Sequence, residues 1–242
     1  MNREYHKWFS PNLNRDMELL CFGNAGAKVL VFPTRQGRFY DYENWGLVEP
    51  LRSSIERGQL QLFCVDSVDS ESLYCRVCPG SSRIARHNQY ERYILHEVAP
   101  LMRSGSTEPF LIAHGCSIGA YHAVNIALRH PGLFRKVVAL SGRFDLTRPM
   151  GPFEDLFQGY YDEDIYFHTP AHFVPGLNDR QHLEPLRRME IALVVGDADP
   201  FLSSNYELSQ ALWDKSIPHT LAVWHGEAHR ARAWRQMLTH YL

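Results

Sequence analysis

The sequence predicts an α/β fold, a mostly parallel central sheet flanked by helices, on three observations. Short continuous runs of Val, Ile and Leu recur along the chain, as in AKVLVFP (27–33) and EIALVVGD (190–197). Runs of this kind, without polar alternation, belong to strands covered on both faces, as in parallel sheets. Segments of helical period separate them, and the two kinds alternate through most of the chain. With 242 residues, 45% of them hydrophobic, the chain can bury one substantial core and falls in the range of a single α/β domain.

In order, MELLCFGN (17–24) and AKVLVFP (27–33) read as strands around a turn at Asn24–Gly26. WGLVEPLRSSIERG (45–58) reads as a helix, with Pro50 inside it and Gly58 at its C-terminal stop. QLQLFCVD (59–66) is a strand again. From His87 to Met102 the residues Tyr90, Ile94, Val98 and Leu101 fall along one helical face. The strand Phe110–His114 runs through Gly-Cys-Ser-Ile-Gly into a helix over about 118–130. FRKVVALSG (134–142) and EIALVVGD (190–197) are the next strands. A helix over about 203–215, a strand PHTLAVWH (218–225) and a final helix from about His229 complete the order.

Residues 143–182 break this rhythm, with Pro149, Pro152, Pro170 and Pro175, many aromatics and no obvious regular element. So long a stretch inside a compact domain points to a lid or binding loop. The expected organisation is a single domain over 1–242, with about 143–182 as a cap or lid insertion.

Composition narrows the function classes. A formal net charge of −2 and the lack of a basic block give no reason to expect nucleic acid. Arg35, Arg38, Arg143 and Arg148, in the early loop and the insertion, could meet an anionic substrate, but arginines so scattered read first as surface charges. MNREYHKWFS has no apolar core of a secretory signal, and no run approaches the ~18 apolar residues of a membrane span. A cytoplasmic location with reduced thiols is the corresponding expectation. Cys75 and Cys78 form a C-x-x-C, but CRVCPG opens no helix and no second pair accompanies it, so neither redox nor zinc function is assigned.

The chemistry concentrates in FLIAHGCSIGAYHAVNIALRHP (110–131). A serine hydroxyl is a poor nucleophile at neutral pH and must be exposed beside a base. A sharp strand-to-helix turn does this, provided glycines stand two before and two after the serine. Gly115 and Gly119 stand there around Ser117, forming a nucleophile elbow. The following helix aims unpaired N–H groups at the site, so the Ile118 amide can donate to an oxyanion. Such a serine needs an acid and a histidine later in the chain, each just past a strand. LVVGDADPFL offers Asp197 and Asp199, with Asp199 preferred and Asp197 read as a turn or capping group; Asp145 is a second-rank acid. WHGEAHRARAW offers His225 and His229. His229, beyond the Gly226 turn, suits a base that must reach across, and His225 reads as structural. The H-x-x-x-H spacing around Glu227 lacks the order of a zinc motif, so no metal and no cofactor is expected. The second oxyanion donor falls in the loop VFPTRQG, where Pro33 has no N–H and Thr34 or Arg35 remains.

These segments resemble the esterase D branch of the α/β-hydrolases, which includes S-formylglutathione hydrolases and the antigen 85 mycolyltransferases. VLVFPTRQG, YERYILHEVAPLM, HGCSIGAYHAVNIALRHPGLF, VVGDADPFL and GEAHRARAW carry the resemblance from about residue 28 to the end, and GYYDEDIYFHTPAHFVPGL is similar to a bacterial subset of these esterases. The resemblance implies an α/β-hydrolase fold and a Ser117–His229–Asp199 triad, with the amides of Ile118 and Arg35 as oxyanion donors. It implies hydrolysis of a small-molecule ester through an acyl-enzyme. An acyltransferase using the same triad, and a non-catalytic relative binding a ligand through an aromatic cap, are the alternatives. The chain departs from the family pattern at Thr34–Gln36 and in the Arg-Ala-Arg after His229. Oligomeric state is not readable.

Overall fold

The computed structural model describes residues 1–104, 110–226 and 228–242. The strands are β1 (Arg3–Ser10), β2 (Arg15–Phe22), β3 (Ala27–Phe32), β4 (Leu60–Val65), β5 (Leu111–Cys116), β6 (Phe134–Leu140), β7 (Glu190–Gly196) and β8 (Thr220–Trp224). They form one eight-stranded sheet in the order β1-β2-β4-β3-β5-β6-β7-β8. From β4 through to β8 neighbouring strands are parallel, while β1 and β2 close one edge antiparallel.

The helices are α1 (Asp41–Asn44), α2 (Arg52–Glu56), α3 (Gly80–Tyr93), α4 (Ala99–Arg103), α5 (Ile118–Arg129), α6 (Glu163–Phe167), α7 (Pro170–Gly176), α8 (Arg180–Leu186), α9 (Leu202–Asp214) and α10 (Ala231–Tyr241). One face of the sheet buries Phe32, Ala113, Val137 and Leu193 against Tyr93, Val98, Val124 and Leu208 from the helices. The other buries Val31, Val138 and Val194 against Leu51, Ile55, Trp234 and Leu238. Helices on both sides explain why the parallel strands read as unbroken apolar runs.

Several elements depart from the sequence reading. Strand β1 was not expected: its charged and aromatic residues are mostly exposed at the sheet edge, so no apolar run marks it, and such a polar edge discourages further pairing. Strands β2 and β3 flank their turn as expected but do not pair, because β4 lies between them. The helix expected over 45–58 is instead a 3₁₀ turn at Glu49–Leu51 running into α2, with α1 standing just ahead of it. Pro50 stands in the first turn of that 3₁₀ segment, where its missing N–H costs nothing. The helix expected from His87 starts earlier, at Gly80, and widens into a π turn at Ile94–Val98 before α4, just ahead of Pro100, which removes a donor from the ladder.

Residues 143–182 also carry helices, each only one or two turns long. Asp162 caps α6 by accepting from the Ile165 amide at 2.9 Å, and Asp179 caps α8 by accepting from the Gln181 amide at 2.9 Å. The expectation of reduced thiols throughout is corrected: Cys75 and Cys78 form a disulfide, because the turn after the 3₁₀ segment Asp69–Glu71 brings their Cα atoms to 5.4 Å. Cys21, Cys64 and Cys116 are free and buried. Among the described residues no helix is long and apolar enough to cross a membrane.

Candidate active site

Strand β5 ends in a turn that leaves Ser117 at φ 59°, ψ −123°, a conformation costly for a residue with a side chain. The surroundings hold it there: the Ser117 amide donates to the Leu140 carbonyl at 2.8 Å, and its carbonyl accepts from the Ala120 amide at 3.0 Å. The flanking glycines are steric necessities. A Cβ on Gly115 would lie 2.2 Å from the main chain of Gly119, and one on Gly119 would lie 2.6 Å from the carbonyls of Phe32 and Pro33. The G-x-S-x-G spacing thus encodes how closely β5, α5 and β3 approach one another.

Beyond β8 the chain turns at Gly226, with φ +89°, and brings His229 to the serine. The His229 Nε2 lies 3.0 Å from Ser117 Oγ, and its Nδ1 lies 3.2 and 3.3 Å from the two oxygens of Asp199. Phe201 and Trp234 hold the imidazole edge-on, at ring separations of 5.2 and 5.4 Å. Asp199, in the loop after β7, is buried and also accepts from the Phe201 amide at 2.9 Å. Burial pushes its carboxyl upward, but hydrogen bonds from His229, the Phe201 amide and Ser141 outweigh this and hold it below the ordinary value.

The other sequence candidates are engaged elsewhere. Asp197 accepts from the Gly226 amide at 2.7 Å and pairs with His225 at 2.9 Å, a turn-stabilising arrangement. Asp145 pairs with Arg148 at 3.1 Å and His172 at 3.3 Å. Glu227, the middle of the H-x-x-x-H spacing, lies outside the described residues.

Ser117, Ile118, Thr34, Arg35 and His229 line one cavity of about 690 Å³. The amides of Ile118, Thr34 and Arg35 have no acceptor among the described residues, as expected of a first helical turn and of an irregular loop. The Thr34–Gly37 loop is tied down from behind. The Gln36 amide, at φ 54°, donates to Asp69 Oδ2 at 3.1 Å. The other Asp69 oxygen is 3.2 Å from Nε2 of His122, one turn into α5. Asp69 and His122 are both buried.

Sequence reasoning missed this Asp69–His122 clamp, because nothing in VDSVDSES distinguishes one aspartate from the next. It also missed Ser141, the wholly buried residue after β6 at φ 57°, whose hydroxyl accepts from Trp234 Nε1 at 3.1 Å. The arginine expectation holds for Arg38 and Arg148, which pair with Asp66 and Glu207. It fails for Arg143, which is 4% exposed and forms part of the cavity wall. Its Nε and Nη2 are drawn inward by the carbonyls of Asp145, Arg148 and Glu154.

A strained hydroxyl, an imidazole within hydrogen-bond reach and a buried carboxylate behind it can together deliver a serine nucleophile to a carbonyl. By sequence, no curated protein matches the chain. By structure, it is similar to a ferulic acid esterase (TM-score 0.77, 17% identity, 98% of this chain and 95% of that one). It is also similar to an S-formylglutathione hydrolase from Agrobacterium tumefaciens (TM-score 0.76, 16% identity, 98% and 91%). A third similar structure is FphF of Staphylococcus aureus, a fluorophosphonate-binding serine hydrolase (TM-score 0.72, 17% identity, 98% and 95%). At these identities the structures establish the shared fold. The family described as "Putative esterase" matches residues 68–242, which include Ser117, Asp199 and His229, and the chain belongs to that esterase family.

Proposed function

We propose that this chain is a serine hydrolase that cleaves carboxylic esters through an acyl-enzyme on Ser117. His229 Nε2 takes the Ser117 proton as Oγ attacks the ester carbonyl, and Asp199 holds the imidazole in the required tautomer and stabilises its charged form. The amides of Ile118 and Arg35 donate to the oxyanion of the tetrahedral intermediate. Collapse expels the alcohol, which leaves with the proton from His229. Water, deprotonated by the same imidazole, then attacks the acyl-enzyme and returns Ser117 to its hydroxyl form. Residues 143–182 act as a cap, a reading supported by the part Arg143 and Phe153 take in the cavity wall.

The observation that carries the reading is the 3.0 Å approach of His229 Nε2 to Ser117 Oγ, with Asp199 at 3.2 Å on the other side of the ring. The test is pre-steady-state hydrolysis of p-nitrophenyl butyrate. The reading expects a burst of nitrophenol close to the enzyme concentration and a butyryl mass increment on the Ser117 peptide, both absent from Ser117→Ala. Linear release with no acylated serine in the folded protein overturns it.

A further inference from the structure

The catalytic cavity adjoins a second one of about 620 Å³, and Arg35, Tyr74, Arg143 and Phe153 line both. Several arginines away from this shared wall have carboxylate partners: Arg38, Arg52, Arg86 and Arg148 each pair with one or more. Arg83, buried and lining the second cavity, bonds only the carbonyls of Cys78 and Leu156 among the described residues. Arg143 is buried, yet its hydrogen bonds run only to main-chain carbonyls: Asp145 at 3.1 Å, Arg148 at 2.5 Å and Glu154 at 2.9 Å. Its Nη1 has no acceptor among the described residues. A guanidinium stays charged in a protein, and a buried charge without a counter-ion is costly.

Two further groups face the same space. The Arg35 guanidinium lies over the Tyr74 ring, 5.9 Å from its centroid, and has no carboxylate partner among the described residues. Tyr74 is half-buried, and no acceptor holds its hydroxyl among the described residues. Burial and the charge of Asp69 push that phenol up to about 12, while Arg143 and Arg35 both pull it down, so the hydroxyl is a donor within the field of both guanidiniums. The nearby carboxylates act on Arg143 by charge alone. Asp145 bonds Arg148 and His172, Asp155 spends its oxygens on the amides of Phe157 at 2.7 Å and Gly159 at 2.6 Å, and Glu154 is exposed. The wall therefore presents two cations and a hydroxyl donor next to Ser117, with no carboxylate bonded to either cation among the described residues.

Resting on the reading of Ser117 as nucleophile, we propose that the preferred substrates are anionic esters, whose carboxylate or phosphate group sits against Arg143, Arg35 and Tyr74 while the ester carbonyl reaches Ser117. A guanidinium fork suits either oxyanion, with two parallel N–H donors.

Matched ester pairs test this. p-Nitrophenyl hemiglutarate against p-nitrophenyl valerate places the charge on the acyl side, and the butyrates of 4-hydroxybenzoate and 4-hydroxybenzamide place it on the alcohol side. The expected result is a kcat/KM at least about tenfold higher for the charged member of one pair, on the scale of a charge-assisted hydrogen bond. That ratio should fall towards one in Arg143→Gln and be partly restored in Arg143→Lys. Should Arg143→Gln fail to fold, the exposed Arg35→Gln is read by the same ratio. Calorimetric titration of Ser117→Ala with glutarate and with inorganic phosphate separates the two oxyanions without catalysis, and binding of either supports the site. Turnover of the neutral members equal to or faster than the charged ones in both pairs overturns the proposal and leaves Ser117 as nucleophile. No turnover of any ester, with Ser117 unacylated, overturns both.

Discussion

At the ends of β5, β7 and β8, His229 lies 3.2 Å from the buried carboxylate of Asp199. Between α3, α5 and α6, His168 lies 3.1 Å from the buried carboxylate of Glu91, whose other oxygen is 2.9 Å from His130 and which also pairs with Arg129 at 3.1 Å. The groups are the same in kind, and in both places the carboxylate is held below its ordinary value. For Glu91, burial pushes upward, but hydrogen bonds from His130 and His168 and the charge of Arg129 prevail. The difference lies on the far side of the ring. His168 uses its second nitrogen on the Asp164 carbonyl at 2.7 Å, and the space bordering Glu91 amounts to only about 10 Å³. His229 turns its second nitrogen to a strained hydroxyl on the wall of a 690 Å³ cavity. A buried histidine–carboxylate pair is therefore structural by default. It becomes a candidate for chemistry when its remaining nitrogen meets a reactive group beside open volume.

Variants at four positions probe this contrast. The largest effect belongs to His229→Ala, which should lower ester turnover at least about a thousandfold while leaving the melting temperature nearly unchanged; steady-state kinetics and calorimetry check the two halves. Glu91→Ala should do the opposite. It strands three cationic or hydrogen-bonding partners and should cost about 3 kcal/mol of stability, read by urea unfolding, with turnover per folded molecule preserved. Loss of turnover without loss of stability would erase the distinction between the clusters.

His114, on β5, sharpens the contrast as a buried histidine with no carboxylate. Its Nδ1 meets the Val138 carbonyl at 2.8 Å, and its Nε2 is buried with no partner among the described residues. Burial pulls it down to about 4, from an ordinary 6.5. The unfolded chain therefore takes up a proton first as pH falls. The contribution to stability is complete above about pH 7 and declines between about 6.5 and 4, where the folded form protonates as well. The decline amounts to about 3 kcal/mol. In His114→Asn, the slope of unfolding free energy over that window should drop by close to one proton. The smallest effect is at Asp69, behind the Thr34–Gly37 loop. Asp69→Ala should lower kcat about tenfold with KM little changed, as expected for a loosened transition-state donor. Asp69→Asn, which keeps an acceptor for the Gln36 amide, should recover much of it. An equal loss in both variants, confined to KM, would remove Asp69 from the positioning of the oxyanion loop.

Much of the architecture was legible because parallel strands buried on both faces carry unbroken apolar stretches, as VLVF in β3, VVAL in β6 and IALVV in β7 do. The elbow was legible for a steric reason: Gly115 and Gly119 sit where a Cβ would strike main chain, so composition and geometry coincide at one short string. Asp199 and His229 could be picked because both stand just past strand ends. What sequence could not show depends on contacts between distant segments. Asp69 matters because it meets Gln36 and His122, and Ser141 because it meets Trp234 and Asp199, and no local pattern marks either. The short helices between β6 and β7 escaped because one or two turns interrupted by proline carry little periodicity. Arg143 was among the arginines that could meet an anionic substrate, but its burial escaped because nothing in its neighbours indicates that an arginine is buried.

The central claim is that Ser117 is an activated nucleophile. Its most direct test is a fluorophosphonate reaction followed by intact-mass measurement and peptide mapping. One adduct per chain is expected, on Ser117, absent in Ser117→Ala and formed far more slowly in His229→Ala. A folded protein that stays unlabelled, or carries the adduct on another serine such as Ser141, would contradict it.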